Sequence, residues 1–228
     1  MSFLKSVYVA YISLVYSIIA AFAILLFGKK IFYPIARHWA MHLLYASGVK
    51  LKISGKDKIS KDESYIFVAN HSSLIDIPAL LAAIDINFRI IYKKELEKIP
   101  VFGWGLKLSP FIGIKRESGR DSMSGLETAV ESVRCGDSVV IFPEGTRSKD
   151  GKLGEFKRGA FLLASRSGKK IVPVTVNGSA KVLPNKKLLI ISGDISINIS
   201  DPITYNGSNK ADEMELMKQV HDIINSKL

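Results

Sequence analysis

Two short stretches carry residues able to do chemistry. In Asn70–Asp76 (NHSSLID) a histidine is followed five residues later by an aspartate. If a helix starts between them, the Asp76 carboxylate folds back against the His71 imidazole. It then holds one ring nitrogen as a donor and leaves the other as a general base. Ser72 or Ser73 is placed to cap that helix. The plainer alternative is a capped helix beside a surface histidine. The second stretch is Phe142–Ser148 (FPEGTRS), a tight polar turn after an apolar run. Its Arg147 offers a planar fork of donors suited to phosphate. The plainer alternative is an ordinary turn in which Glu144 and Arg147 form a local ion pair. Both stretches follow segments that read as strands (SYIFVA and SVVIF), where open α/β sheets place their ligands.

Nothing else in the chain competes with these two. His38 and His42 stand four apart, a spacing compatible with a metal pair, but no third ligand lies near, so they read as packed or interfacial histidines. A metal site is not expected. The single cysteine, Cys135, excludes a disulfide framework and a Cys-rich metal site, and it sits at the end of a predicted helix with no assigned role.

The elements that must position these residues alternate along the chain. Strands are expected over Leu51–Ser54, Ser64–Ala69, Phe88–Tyr92, Phe111–Lys115, Ser138–Phe142, Ile171–Val176, Leu188–Ser192 and Ile195–Ser200. Helices are expected over Ile77–Ala83, Ser122–Arg134, Gly159–Ser167 and Ala211–Ser226. Near-continuous apolar strands separated by helices imply an α/β fold with a mainly parallel sheet covered by helices.

Ahead of this domain, Val7–Phe27 is a run of 21 residues without a charge, long enough for a helix to match the hydrocarbon thickness of a bilayer. A second helical stretch, Ile35–Ser47, carries Trp39 and Tyr45, with Pro34 expected to break the helix between the two. The chain thus divides into membrane-anchoring helices over 1–50 and a cytoplasmic domain over 51–228. Lys29, Lys30 and Arg37 outweigh Lys5 as flanking charge and place that domain on the cytoplasmic side. A true span and a hairpin dipped into one leaflet both fit.

The 228 residues carry 32 Lys and Arg against 21 Asp and Glu, a net charge of +11, and 47% are hydrophobic. That composition excludes a disordered chain. The charge suits anionic lipid surfaces and acidic partners. A nucleic-acid binder would show a basic helix or interleaved aromatics on one face; neither is present, so no nucleic-acid partner is expected.

Taken together, His71-x-x-x-x-Asp76 and, about 70 residues later, Phe142-Pro143-Glu144-Gly145-Thr146-Arg147 resemble the glycerolipid acyltransferases. Within them the chain is most similar to the bacterial 1-acyl-sn-glycerol-3-phosphate acyltransferases. Tyr92–Leu96 with Ile99–Gly103, and Ile171–Val174, agree with further blocks of that family. One block departs from it: in Pro110–Arg116 (PFIGIKR), Pro stands for the usual first Gly and Lys115 for the usual Asp. The resemblance implies the glycerolipid acyltransferase fold and transfer of an acyl group from acyl carrier protein or coenzyme A to the sn-2 hydroxyl of lysophosphatidic acid. It implies no cofactor beyond that thioester co-substrate, and a place at the cytoplasmic face of the bacterial inner membrane among membrane lipids. His71 would be the base and Asp76 its orienting acid. Lys93, Arg116 and Arg147 would contact phosphate, Glu144 would position its loop, and backbone N–H groups near Gly145 and Thr146 would face the oxyanion. A sister activity on another lyso-lipid, such as a lyso-ornithine lipid or lysophospholipid, keeps every motif. A non-catalytic lipid binder has no use for a base with its acid.

Overall fold

The structure is a computed structural model that describes residues 2–100, 102–115, 119–148, 151–185, 189–207 and 209–228. Seven strands are formed by the β-branched runs: β1 (Val49–Ser54), β2 (Ile66–Ala69), β3 (Phe88–Lys93), β4 (Ile112–Ile114), β5 (Ser138–Ile141), β6 (Ile171–Asn177) and β7 (Gly193–Ile199). They form one sheet in the order β1-β7-β6-β2-β5-β3-β4. From β6 to β4 all neighbours are parallel, while β7 runs antiparallel to β6 and parallel to β1. Strands β2, β5 and β3 therefore end on the same edge, and both chemical stretches emerge there side by side.

Alternation along β2 shows how the sheet is covered. Phe67 and Ala69 belong to a core shared with α2 (Phe32–Ser47) and α3 (Asp76–Ala83). Ile66 and Val68 face a second core with α5 (Gly119–Arg134), α6 (Gly159–Ser167) and α8 (Lys210–Asn225). Burial on both faces is why these central strands read as continuous apolar runs. Two short helices complete the set: α4 (Phe102–Leu108) and α7 (Ser179–Val182).

The N-terminal helices differ from expectation in one respect. Helix α1 spans Ser2–Phe27 and α2 already starts at Phe32. The break falls at Gly28, whose φ of +78° suits only a residue without a side chain, followed by a 3₁₀ turn over Lys29–Ile31. Pro34 does not break the helix, because it lies in the first turn of α2, where the missing N–H has no intrahelical acceptor to lose. The two helices form an antiparallel hairpin tied by polar contacts. Trp39 Nε1 donates to Ser13 Oγ (3.1 Å), and the hydroxyls of Tyr8 and Tyr16 meet the two ring nitrogens of His42 at 3.1 and 3.4 Å. His42 is thus packed within the hairpin, whereas His38 is exposed, its ring tilted 33° to that of Tyr16 with centroids 5.9 Å apart.

This hairpin has no core of its own. Ile12 and Ile24 of α1 and Ala40 and Leu43 of α2 are buried in the same cluster as Phe67 and Leu80. The outward face of α1 is apolar and exposed, from Phe3 to Phe27, and among the described residues α1 is the one helix long and apolar enough to cross a membrane.

The strand expected over Leu188–Ser192 is not formed. Leu188 lies outside the described residues, and 189–192 are irregular. Ile190 is buried between exposed Leu189 and Ile191, the alternation of a strand. The backbone of this stretch, however, pairs with the Ser6 hydroxyl of α1 (3.0 Å) and the Val182 carbonyl (2.8 Å) instead of a neighbouring strand.

Candidate active site

The turn after β2 builds the first half of the site. Asn70 ends the strand with its side-chain amide bonded to β6 in both directions: Nδ2 donates to the Val176 carbonyl (2.8 Å) and Oδ1 accepts from the Val176 N–H (2.7 Å). This fixes where the chain leaves the sheet. Asp76 then opens α3 with its side chain fully buried, and its Oδ2 accepts three donors: the N–H of Ser72 (2.8 Å), the N–H of Ser73 (2.9 Å) and Nδ1 of His71 (2.8 Å). A carboxylate bonded to Nδ1 makes that nitrogen the N–H donor, and Nε2 is left as the acceptor. Among the described residues Nε2 makes no hydrogen bond.

Neither serine caps the helix. Ser72 Oγ instead meets Ser179 Oγ on α7 (2.9 Å), and Ser73 Oγ donates to the Leu183 carbonyl (2.7 Å). The loop is thereby anchored to the α7 region, more than 100 residues away in sequence.

The Phe142–Ser148 loop packs directly on this turn. The Phe142 ring stacks on the His71 imidazole, with centroids 4.0 Å apart and planes 20° from parallel. The imidazole is held between that ring and the Asp76 carboxylate, with a side-chain exposure of only 15%. Glu144 makes no ion pair with Arg147. Its Oε1 accepts the His71 backbone N–H (2.7 Å) and its Oε2 the Gly154 N–H (3.0 Å), so it bridges both loops from beneath. Burial pushes the Glu144 carboxyl above its ordinary value, and the two N–H bonds and the nearby imidazole offset part of that rise. The Ser148 N–H returns to the His71 carbonyl (2.7 Å).

The remaining expected residues fall as follows. Gly145 adopts φ +75°, and its N–H closes the turn onto the Phe142 carbonyl (3.0 Å), so this amide is not available to a ligand. Thr146 is exposed at the tip. Arg147 is part-buried, and its carbonyl lies 3.5 Å from Asn185 Nδ2, which also donates to the Ser148 carbonyl at 3.0 Å. Lys93 ends β3 on the same edge of the sheet, exposed and 4.0 Å from Glu95. Arg116 lies outside the described residues.

Sequence reasoning missed four contributors. Phe142 was legible only as a strand end. Ser179 and Asn185 carry no local signal, because their partners are brought to them by the fold. Lys157 belongs here too: a methyl group at Gly145 would come within 3.0 Å of its ammonium, which therefore lies across the loop. Behind the site, a cavity of about 170 Å³ with almost wholly apolar walls runs between α1, α2, α3, α4 and the sheet. Its walls include Ile77 and Leu81 of α3, Ile90 and Phe111, and Tyr16 and Ala20 of α1. Among the described residues no group of three or more His, Cys, Asp and Glu is arranged to hold a metal ion.

A histidine oriented by a buried acid thus stands next to an arginine-bearing loop. A family model described as Acyltransferase matches residues 50–177. The chain belongs to the acyltransferase family. It is 34% identical over 187 residues to the 1-acyl-sn-glycerol-3-phosphate acyltransferase of Helicobacter pylori, covering 78% of this chain and 77% of that one. It is 37% identical over 179 residues to a chloroplastic protein of the same name from Brassica napus, covering 78% of this chain and 52% of the relative. The chain spans about half the length of several curated relatives it matches. The crystal structure of the 1-acyl-sn-glycerophosphate (LPA) acyltransferase, PlsC, from Thermotoga maritima superposes with a TM-score of 0.86 at 27% identity, covering 99% of this chain and 94% of that one.

Proposed function

We propose that the chain transfers a fatty acyl group from an acyl thioester to the sn-2 hydroxyl of 1-acyl-glycerol 3-phosphate, forming phosphatidic acid. The observation that carries this reading is the His71–Asp76 pair, bonded through Nδ1 and packed against a loop that bears Arg147 and is crossed by Lys157. His71 Nε2 takes the proton of the acceptor hydroxyl as that oxygen attacks the thioester carbonyl. The buried Asp76 holds the tautomer and stabilises the imidazolium that forms. The tetrahedral intermediate collapses by breaking the C–S bond, and the departing thiolate takes the proton back from the imidazolium. Ester and free thiol are the products, and no acyl-enzyme is needed because the nucleophile is the substrate's own hydroxyl.

The Thr146 and Arg147 amides are the oxyanion donors in this scheme, since the Gly145 amide is already bonded. Arg147, Lys157 and Lys93 supply cationic contacts for the acceptor phosphate, with Arg116 following β4. The donor is acyl carrier protein or acyl-coenzyme A; both are anionic, and the charge of +11 attracts either.

The reading of location is supported by α1. This helix is docked along its length, at Ser6 onto Ile190, at Ser13 onto Trp39 and at Ser17 beside Gly105, with only its outer face free. A helix held in this way lies in one leaflet with the domain beneath it, at the cytoplasmic face of the bacterial inner membrane. A second acceptor, another lyso-lipid, is favoured by one observation: Pro110 and Lys115 alter the block before Arg116.

The test is acyl transfer by purified, detergent-solubilised protein from both labelled thioesters to lysophosphatidic acid and a panel of other lyso-lipids, with His71→Ala as the blank. Phosphatidic acid formation that vanishes in the variant supports the reading. Acylation of a different lyso-lipid alone moves the acceptor and keeps the mechanism. Failure of every acceptor with both donors overturns it.

A further inference from the structure

Helix α1 is not the only exposed apolar surface on its side of the molecule. The segment from Lys94 to Leu108, a 3₁₀ stretch followed by α4, turns Leu96, Ile99, Phe102 and Trp104 to the outside, with relative exposures of 37%, 45%, 42% and 62%. Apolar side chains of this size clustered on a short surface segment mark an interaction site. Lys94, Lys98 and Lys107 are exposed within the same segment. Lysines interleaved with a tryptophan and aliphatic side chains are the composition of an element lying in a headgroup boundary, where the stems reach apolar and the ammonium groups polar surroundings.

The position of the segment decides its partner. Gly105 of α4 abuts Ser17 of α1, where a methyl group would meet the serine side chain at 3.6 Å. Trp104 next to Gly105 and Ile18 next to Ser17 are both exposed, so exposed apolar side chains flank this contact on both helices. Leu96, Phe102, Gly105 and Leu106 also form the wall of the apolar cavity opposite the sheet. The same segment is thus cavity wall on its inside and bare apolar surface on its outside.

We propose that the 3₁₀ stretch Lys94–Lys98 with Ile99, together with α4 (Phe102–Leu108), is a second bilayer-docking element, embedded beside α1, so that the seam between α1 and α4 faces lipid. This rests on the reading that α1 lies in one leaflet. It adds that a cavity wall remote from the N-terminus is also immersed, which gives a lipid acyl chain a lateral way in without passing through water.

The two tryptophans make the test direct. In Trp39→Phe protein, Trp104 is the sole emitter. Reconstituted into bilayers with brominated acyl chains, its fluorescence is expected to be strongly quenched and to be shielded from aqueous iodide. Free access of iodide with no effect of the bromolipids overturns the proposal. So does shielding that bromolipids do not change but that tracks cross-linking to a second copy. If Trp39→Phe does not fold, the difference in quenching between the unaltered chain and Trp104→Phe supplies the same reading with Trp39 in place. A control separates the two readings: in Trp39→Phe/Trp104→Phe protein, a Phe22→Trp probe on α1 reports the first element alone. Quenching at 22 but not at 104 sinks only the present proposal; quenching at neither sinks the leaflet reading as well. Trp104→Lys is further expected to lower acylation of long-chain acceptors presented in vesicles severalfold, while sparing short-chain acceptors below micellar concentration. Equal loss on both would overturn the docking role.

Discussion

Three side chains at the site are each held by more than one contact, and each fails in its own way when changed. In the proposed reaction His71 takes the acceptor proton, so His71→Ala should lower kcat by about 10²–10⁴-fold with the acceptor KM nearly unchanged, the range for loss of a general base. Asp76→Asn keeps the shape but removes the charge that fixes Nδ1–H and supports an imidazolium. Its kcat should fall by a comparable order while the protein remains folded, checked by single-turnover kinetics beside a thermal melt. Glu144 offers a test by pH. Burial raises its carboxyl above the ordinary 4.5, so on raising pH the unfolded chain releases this proton before the folded one does. The folded state then binds more protons across the window from about 4.5 upward, and the stability associated with Glu144 falls until its folded pKa is passed. Glu144→Gln has no such proton. Its melting temperature should lack that decline, although it loses a hydrogen bond to one of the two N–H groups. Parallel pH profiles for the two proteins would sink this assignment.

Among the elements, α4 is the most exposed to a single methyl group. A Cβ at Gly103 would lie 2.2 Å from the Glu97 carbonyl oxygen and 2.5 Å from its carbon, backbone atoms that cannot swing aside. Gly103→Ala must push α4 away from the preceding 3₁₀ turn, at a cost of about 1–3 kcal/mol as for other overpacked sites. Because α4 walls the cavity, the acyl-chain preference should shift together with the melting temperature; a drop in stability with the chain-length profile unchanged would detach α4 from the cavity's function. The same helix was illegible in the sequence, since Pro100 and glycines at 103 and 105 argue against helix, and only packing on α1 overrides them. Pro34 misled in the opposite direction: proline breaks a helix interior, and only the capping geometry shows that it stands in a first turn. By contrast, His71 and Asp76 were legible because a separation of only five positions makes their contact local. Asn185 to Ser148 and Ser73 to Leu183 were not, because nothing in either segment specifies its distant partner.

Over the whole molecule, the segment expected to anchor the chain and the domain that follows it share one buried cluster, which joins Ile24, Ala40, Phe67 and Leu80. The two forces proposed to hold the protein on a membrane can be told apart by salt. Attraction of lysine and arginine to anionic lipid contributes about 1 kcal/mol per residue near the surface. It is largely screened at about 1 M salt, where the Debye length falls to about 3 Å. Burial of apolar side chains in lipid does not weaken in this way. Along α1 alone, Phe3, Leu4, Phe22, Leu25, Leu26 and Phe27 are each at least 65% exposed. At roughly 1.5–3 kcal/mol for full burial of such a side chain, their transfer from water into lipid outweighs all the screened charge. Membranes carrying the protein should therefore keep it through a high-salt wash and release it only to detergent. Glutamates substituted for Phe22 and Leu26 should make the attachment salt-sensitive, because charge is then the stronger of the two attractions. Release of the unaltered protein by salt alone would mean that the exposed face of α1 does not reach the acyl chains, and that the basic surface does the anchoring.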